Sequence, residues 1–147
     1  MTTEKGLANI KSKLEAVGHS VTSSGQSYPS DVSAIDQLWD IRFANALSSS
    51  EITKLKTILS NGGTVYLLGE HAGFMTRNNS IISFIKDVGG GDVVYGGRSG
   101  TNFHIVESAF RSPNNVINIY EPASSYLSNL GNGTATVSYT HLTLPTN

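Results

Sequence analysis

The sequence contains no cysteine among its 147 residues. That excludes disulfides, thiolate metal sites and a cysteine nucleophile. Charge is also scarce. Asp, Glu, Lys and Arg make up 14% of the chain, against roughly 25% in an average soluble domain. The formal net charge is −1, so there is no electrostatic footprint for nucleic acid or an acidic membrane. No apolar run approaches the length of a membrane span, and membrane insertion is not expected. Metal-ligand spacing is missing too: His19, His71 and His104 form no pattern such as H-E-x-x-H. Neither a G-x-S-x-G elbow nor a phosphate-binding glycine loop is present. Gly89-Gly90-Gly91 closes a helix rather than opening one, and Gly96-Gly97-Arg98-Ser99-Gly100 reads as a flexible turn. No cofactor is implied.

Ser, Thr, Asn and Gly supply the polarity that charge does not. This composition leans toward a secreted or envelope protein of a bacterium, with the location of the parent protein extracellular or cell envelope and that of this chain unassigned.

The two ends stand apart from the rest. Val137–Thr146 reads VSYTHLTLPT. A transposon-end adapter used in sequencing libraries encodes this run residue for residue in one frame. Residues 137–147 are therefore set outside the fold reasoning; the alternative is a natural C-terminal strand. His141, Tyr139 and Pro145 carry no functional weight on this reading. At the other end Met1 leads almost directly into a helix, with Thr3 as N-cap. In a βαβ series a strand should precede that helix. Met1 is accordingly read as an internal start and the sheet as lacking its first strand.

Residues 1–136 then form one domain, with an α/β core over 1–95 and a β-rich extension over 96–136. The first helix spans about Thr3 to Val17, with Leu7, Ile10, Leu14 and Val17 on one face and Gly18 as its stop. Strands are expected at His19–Thr22 and Gln37–Phe43. Ser48 and Glu51 have the spacing of a capping box, and Leu47 and Ile52 that of a hydrophobic staple. Ile52, Leu55, Ile58 and Leu59 give the buried face of this second helix, which Gly62 ends. Thr64–Gly69 is a nearly continuous apolar strand, as expected where helices cover both faces of a parallel sheet. Asn78 is read as the cap of a third helix, whose apolar positions are Ile81, Phe84, Ile85 and Val88. Asp92–Tyr95, Asn102–Glu107 and Val116–Tyr120 are further strands, the last two joined by a turn at Ser112–Asn115. Trp39, Tyr66 and Phe84 are assigned to the core. Tyr28, Phe74 and Tyr126 are candidates for exposed sugar-stacking rings.

In an open α/β sheet, ligands bind where strands hand over to helices. Asp40 and Arg42 lie near the end of one strand. Glu70 and His71 follow the next. Arg77, Asn78 and Asn79 lie at the mouth of the helix after it. If those strands are neighbours, the six residues Asp40, Arg42, Glu70, His71, Arg77 and Asn78 share a crevice able to bind a small polar or carbohydrate ligand. His71 with Glu70 is the candidate acid–base pair, and Ser80 or Thr76 a conceivable nucleophile beside it. The plainer reading makes Asp40–Arg42 and Glu70–Arg77 ion pairs that fix loops, and Asn78 and Asn79 helix caps.

With these residues in view, the chain resembles the class I glutamine amidotransferase-like group over about Leu7 to Tyr95. The resemblance rests on helix–strand order and on Gly69-Glu70-His71-Ala72-Gly73 after the central strand. Enzymes of that group carry G-x-C-x-G there. The segment is also similar to the trehalose-utilisation-type branch, in which a His follows the equivalent strand. The resemblance implies a flavodoxin-like parallel sheet with helices on both faces. It does not carry over amidotransferase activity, because His71 stands at the cysteine position. Three readings follow: a non-catalytic amidotransferase-like domain, a hydrolase using His71 as base with a carboxylate partner, and a virion or other structural protein. A fold analogy alone does not choose among them.

Overall fold

A computed structural model describes residues 4–106, 118–134 and 137–138. Thr3, the Ser112–Asn115 turn, the side chains of His104 and Tyr126 and the tail beyond Ser138 lie outside that description. The chain divides into two units, Met1–Gly69 and Glu70–Asn147, each described by itself.

The first unit runs α1 (Glu4–Ala16), β1 (Gln37–Asp40), α2 (Ser49–Ser60) and β2 (Thr64–Leu67). β1 and β2 pair in parallel, Gln37 opposite Thr64 and Asp40 opposite Leu67, with α2 as the crossover that a parallel pair requires. The capping box forms as its spacing dictates. The Ser48 hydroxyl accepts from the Glu51 N–H at 3.3 Å, and the Glu51 carboxylate accepts from the Ser48 N–H at 2.8 Å. Leu55 and Ile58 are fully buried, with Leu38, Leu47 and Val32 completing this core.

Helix ends in both units use one device. Gly18, Gly62 and Gly89 adopt φ of +94°, +82° and +87°, a region that favours glycine. In each case the glycine N–H and the next N–H reach back to two of the last helix carbonyls. For α2 these bonds are Gly62 to Leu59 at 3.0 Å and Gly63 to Ile58 at 2.9 Å. They satisfy carbonyls that the helix end leaves open.

Three expectations fail here. His19–Thr22 is not a strand; the C-cap of α1 takes the His19 N–H for the Leu14 carbonyl. The strand expected over Gln37–Phe43 stops at Asp40, because the side chain of Asp40 accepts from the Arg42 N–H and turns the chain. Trp39 and Tyr66 are not core residues. They are 43% and 45% exposed, so the coverage expected on both sheet faces is lacking on theirs. The apolar face assigned to α1 is likewise only half used: Leu7 and Val17 are exposed.

The second unit runs from a short 3₁₀ turn (Ala72–Phe74) into α3 (Met75–Asp87), then β3 (Val93–Val106), β4 (Asn118–Leu130) and β5 (Val137–Ser138). Ile81, Phe84 and Val93 are its buried apolar residues. The three strands form an antiparallel sheet in the order β4-β3-β5. The strands expected over Asp92–Tyr95 and Asn102–Glu107 are therefore not separate over Val93–Tyr95 and Asn102–Val106; Glu107 lies outside the described residues. Both described stretches belong to one long strand, and Gly96–Gly100 is its irregular middle rather than a turn. Register shifts fall between Val94 and Asn102. Glycines without a side chain to pack suit such bulges, and pairing with β4 overrides their local turn preference. The molecule is mixed α/β, with a two-stranded parallel sheet in one unit and an antiparallel sheet in the other. Among the described residues, no helix is long and apolar enough to cross a membrane.

Candidate functional site

The residues singled out from sequence fall into two clusters, one in each unit. In the first, Asp40 is 2% exposed. Its Oδ1 accepts from the Arg42 N–H at 3.1 Å and from Arg42 Nε at 3.0 Å. Its Oδ2 accepts from the Tyr28 hydroxyl at 2.7 Å and from Arg42 Nη2 at 2.8 Å. These four bonds use the acceptor sites a carboxylate offers. The remaining Arg42 nitrogen donates to Glu51 Oε1 at 2.6 Å and to the Gln26 carbonyl at 2.9 Å. The guanidinium also lies 4.8 Å from the centre of the Tyr28 ring. The expected Asp40–Arg42 ion pair is thus present, and it extends through Glu51 into the cap of α2.

The charges respond accordingly. Hydrogen bonding to Asp40 raises the Arg42 pKa against the opposing effect of burial, with Glu51 adding to the rise. Burial first, then the bond to Asp40, raises the Tyr28 phenol well above its ordinary value. Burial pushes Glu51 upward, but the Ser48 N–H, Arg42 and the Ser48 hydroxyl outweigh it, and the carboxyl ends below its ordinary value. Tyr28, read from sequence as a candidate sugar-stacking ring, is a half-buried member of this network. Glu51 was legible as a cap but not as the second carboxylate on Arg42. That second role depends on where β1 ends beside α2, which no local spacing reports.

The second cluster surrounds the loop between Gly69 and α3. Asn78 is fully buried and does not cap α3. It sits one turn inside the helix, and its amide is turned back onto the loop. Oδ1 accepts from the Glu70 N–H at 2.8 Å, and Nδ2 donates to the Glu70 carbonyl at 2.8 Å. A side-chain amide thereby replaces the sheet partner that this backbone lacks. Arg77, placed by sequence at the mouth of a crevice, is also fully buried. The expected Glu70–Arg77 ion pair is absent among the described residues. Asn79 is exposed on α3, and the Ser80 hydroxyl donates to the Arg77 carbonyl at 2.7 Å.

His71 opens the 3₁₀ turn. Its Nδ1 accepts from the Gly73 N–H at 2.9 Å, and its ring meets Phe74 edge to face at 4.9 Å between centroids. Gly73 is required for this. A Cβ there would come within 2.5 Å of the His71 Cε1. Because Nδ1 accepts from a backbone amide, the neutral imidazole carries its proton on Nε2. Among the described residues, neither Nε2–H nor the Glu70 carboxylate has a polar partner. Both residues are half-buried. The loop thus offers one hydrogen-bond donor and one carboxylate to an incoming molecule. No group of three or more His, Asp or Glu among the described residues stands close enough to hold a metal ion.

Compared with models of known families, with curated proteins and with solved structures, the chain gives no match.

Proposed function

We propose that this chain is a non-catalytic, amidotransferase-like module of a secreted or surface bacterial protein. Its Glu70–His71 loop binds a small polar ligand through the Glu70 carboxylate and the His71 Nε2–H. The parallel β1–α2–β2 unit supports the fold reading, being the repeating element of a flavodoxin-like sheet. The low charge and Ser/Thr/Asn/Gly-rich composition support the location.

The observation that carries the ligand reading is the bond from the Gly73 N–H to His71 Nδ1. A histidine base of the hydrolase type holds Nδ1–H against an orienting carboxylate and presents a bare Nε2 to the nucleophile. His71 has the reverse arrangement, so it donates at Nε2 and takes no proton there. The residues counted from sequence as one ligand set thereby separate by availability. Asp40 and Arg42 are engaged with each other, Asn78 holds the loop, and Glu70 and His71 keep open valences.

Long-range ¹⁵N–¹H NMR reads the tautomer directly, with His71→Ala identifying the signal. The expected result is Nε2–H with an unprotonated Nδ1. Amide shifts at Glu70 and His71 should then respond to some member of a panel of polyols, amino acids and amino sugars. An Nδ1–H tautomer, together with p-nitrophenyl acetate hydrolysis that His71→Ala abolishes, would replace this reading with the hydrolase.

A further inference from the structure

The two aromatic residues assigned to the core by sequence are the most informative exposed feature of the first unit. Trp39 and Tyr66 are direct register partners on β1 and β2. Their rings stack with centroids 4.9 Å apart and planes 28° from parallel. Gln37 and Thr64 form the register pair two residues back along the strands and are also exposed. Strand alternation puts all four side chains on one face. Leu38 and Asp40, pointing the other way, are buried. Beside the rings, Asn9, Ile10, Lys13 and Leu14 of α1 join Trp39 around an open depression of about 270 Å³.

Burying a stacked Trp–Tyr pair is favourable, yet this chain leaves both rings nearly half exposed. The size of the face says what fits it. Two strands of four residues span roughly 10 Å by 13 Å. That is of order 130 Å², far below the roughly 800 Å² per partner of a stable protein interface. It matches one or two sugar rings. The chemistry agrees. Flat rings accept the C–H face of a pyranose, while polar groups at the edge address its hydroxyls. Trp39 Nε1 donates to Gln37 Oε1 at 3.3 Å, which leaves the Gln37 amide N–H groups and the Thr64 hydroxyl facing outward.

We propose that the open face of the β1–β2 sheet is a carbohydrate-binding platform, with Trp39 and Tyr66 as the stacking surface and Gln37 and Thr64 as hydrogen-bonding flanks. It uses neither Glu70 nor His71, so it stands or falls separately from the loop.

Trp39 is the only tryptophan in the sequence, so intrinsic fluorescence reports this face alone. Cellotetraose and chitotetraose are the probes, each titrated to its solubility limit. The expected result is a saturable change in Trp39 emission with one of them. Tyr66→Ala should weaken the binding roughly tenfold, with unchanged far-UV circular dichroism. Gln37→Ala is the second variant, with a smaller loss. Absence of a saturable change with either sugar overturns the proposal, as does binding that survives Tyr66→Ala undiminished. A Trp39 shift that depends on protein concentration without sugar, with a dimer mass by light scattering, also overturns it and assigns the face to a second copy of the chain.

Discussion

Replacing Arg42 by Met is the sharpest test of how the first unit is held together. The substitution keeps an unbranched stem and removes the guanidinium, including its contact with the Tyr28 ring. Asp40, whose side chain is fully buried, then loses two of its four hydrogen bonds outright, those from the guanidinium, and the turn closed by the Arg42 N–H loosens. Glu51 loses its 2.6 Å partner at the same time. Removing one member of a buried ion pair costs about 3–5 kcal/mol, because the other charge stays buried and uncompensated. That is a large part of the ~5–15 kcal/mol that stabilises a typical domain. At a urea slope near 2 kcal/mol/M, the midpoint should fall by about 1.5–2.5 M. Trp39 lies on β1 in the same unit, so its fluorescence follows the right transition. Arg42→Lys keeps the charge but not the two-pronged geometry, and should fall between. Adding Asp40→Asn to Arg42→Met should recover part of the loss, since the pair is coupled. A midpoint shift below about 0.5 M for Arg42→Met is the size of a solvent-exposed pair. It would refute the claim that Asp40, Arg42 and Glu51 form one buried network.

Asn78→Ala should cost about 2–4 kcal/mol by leaving the Glu70 N–H and carbonyl unpaired, and hydrogen exchange at the Glu70 amide should accelerate with it. Asn78→Asp, which can accept from that N–H but not donate to the carbonyl, should be partly impaired. Glu51 sits below its ordinary pKa of 4.5; its stabilisation is present above that value and lost as pH falls through the lower, folded value. Urea midpoints below pH 4.5 should therefore decline more steeply in the native protein than in Glu51→Gln. Tyr28 is raised above its ordinary 10.0, so its contribution is full below pH 10 and lost as pH climbs past it; Tyr28→Phe should flatten that alkaline loss. Gly73→Ala should push the His71 ring off its turn and change the tautomer read by ¹⁵N NMR, while the far-UV spectrum stays native.

What the sequence made legible and what it hid divide by range. Ser48 and Glu51 are three residues apart, and their bonds close within one helical turn. Gly18, Gly62 and Gly89 act on carbonyls a few residues behind them. Such bonds are written into spacing. The Gly96–Gly100 run misled for the opposite reason. Its local preference is a turn, but its backbone is spoken for by β4, some two dozen residues on. Trp39 and Tyr66 misled because apolar rings on adjacent strands are usually buried. Burial depends on whether another layer covers them, and α1 beside Trp39 leaves both rings nearly half exposed. Asn78 carried a true signal, a polar residue opening a helix, with the wrong partner attached: its amide bonds a loop seven and eight residues upstream instead of its own first turn.

The same division bears on where function resides. A chain with so few charges has little polarity to spare, and half-buried polar groups without partners are costly to keep. Most of this protein's polar side chains at strand ends are spent. Asp40 is saturated by Arg42 and Tyr28, Arg42 by Asp40 and Glu51, and Asn78 by the backbone of Glu70. Their arrangement explains folding without any ligand. The Glu70 carboxylate and the His71 Nε2–H are different. They are half-buried, Asn78 fixes the Glu70 backbone and the Gly73 N–H fixes the His71 ring, and nothing in the described structure consumes them. Fixing two such groups at a strand-to-helix loop costs conformational freedom and desolvation. The fold recovers neither cost from them, and this is the ground on which the ligand reading is proposed.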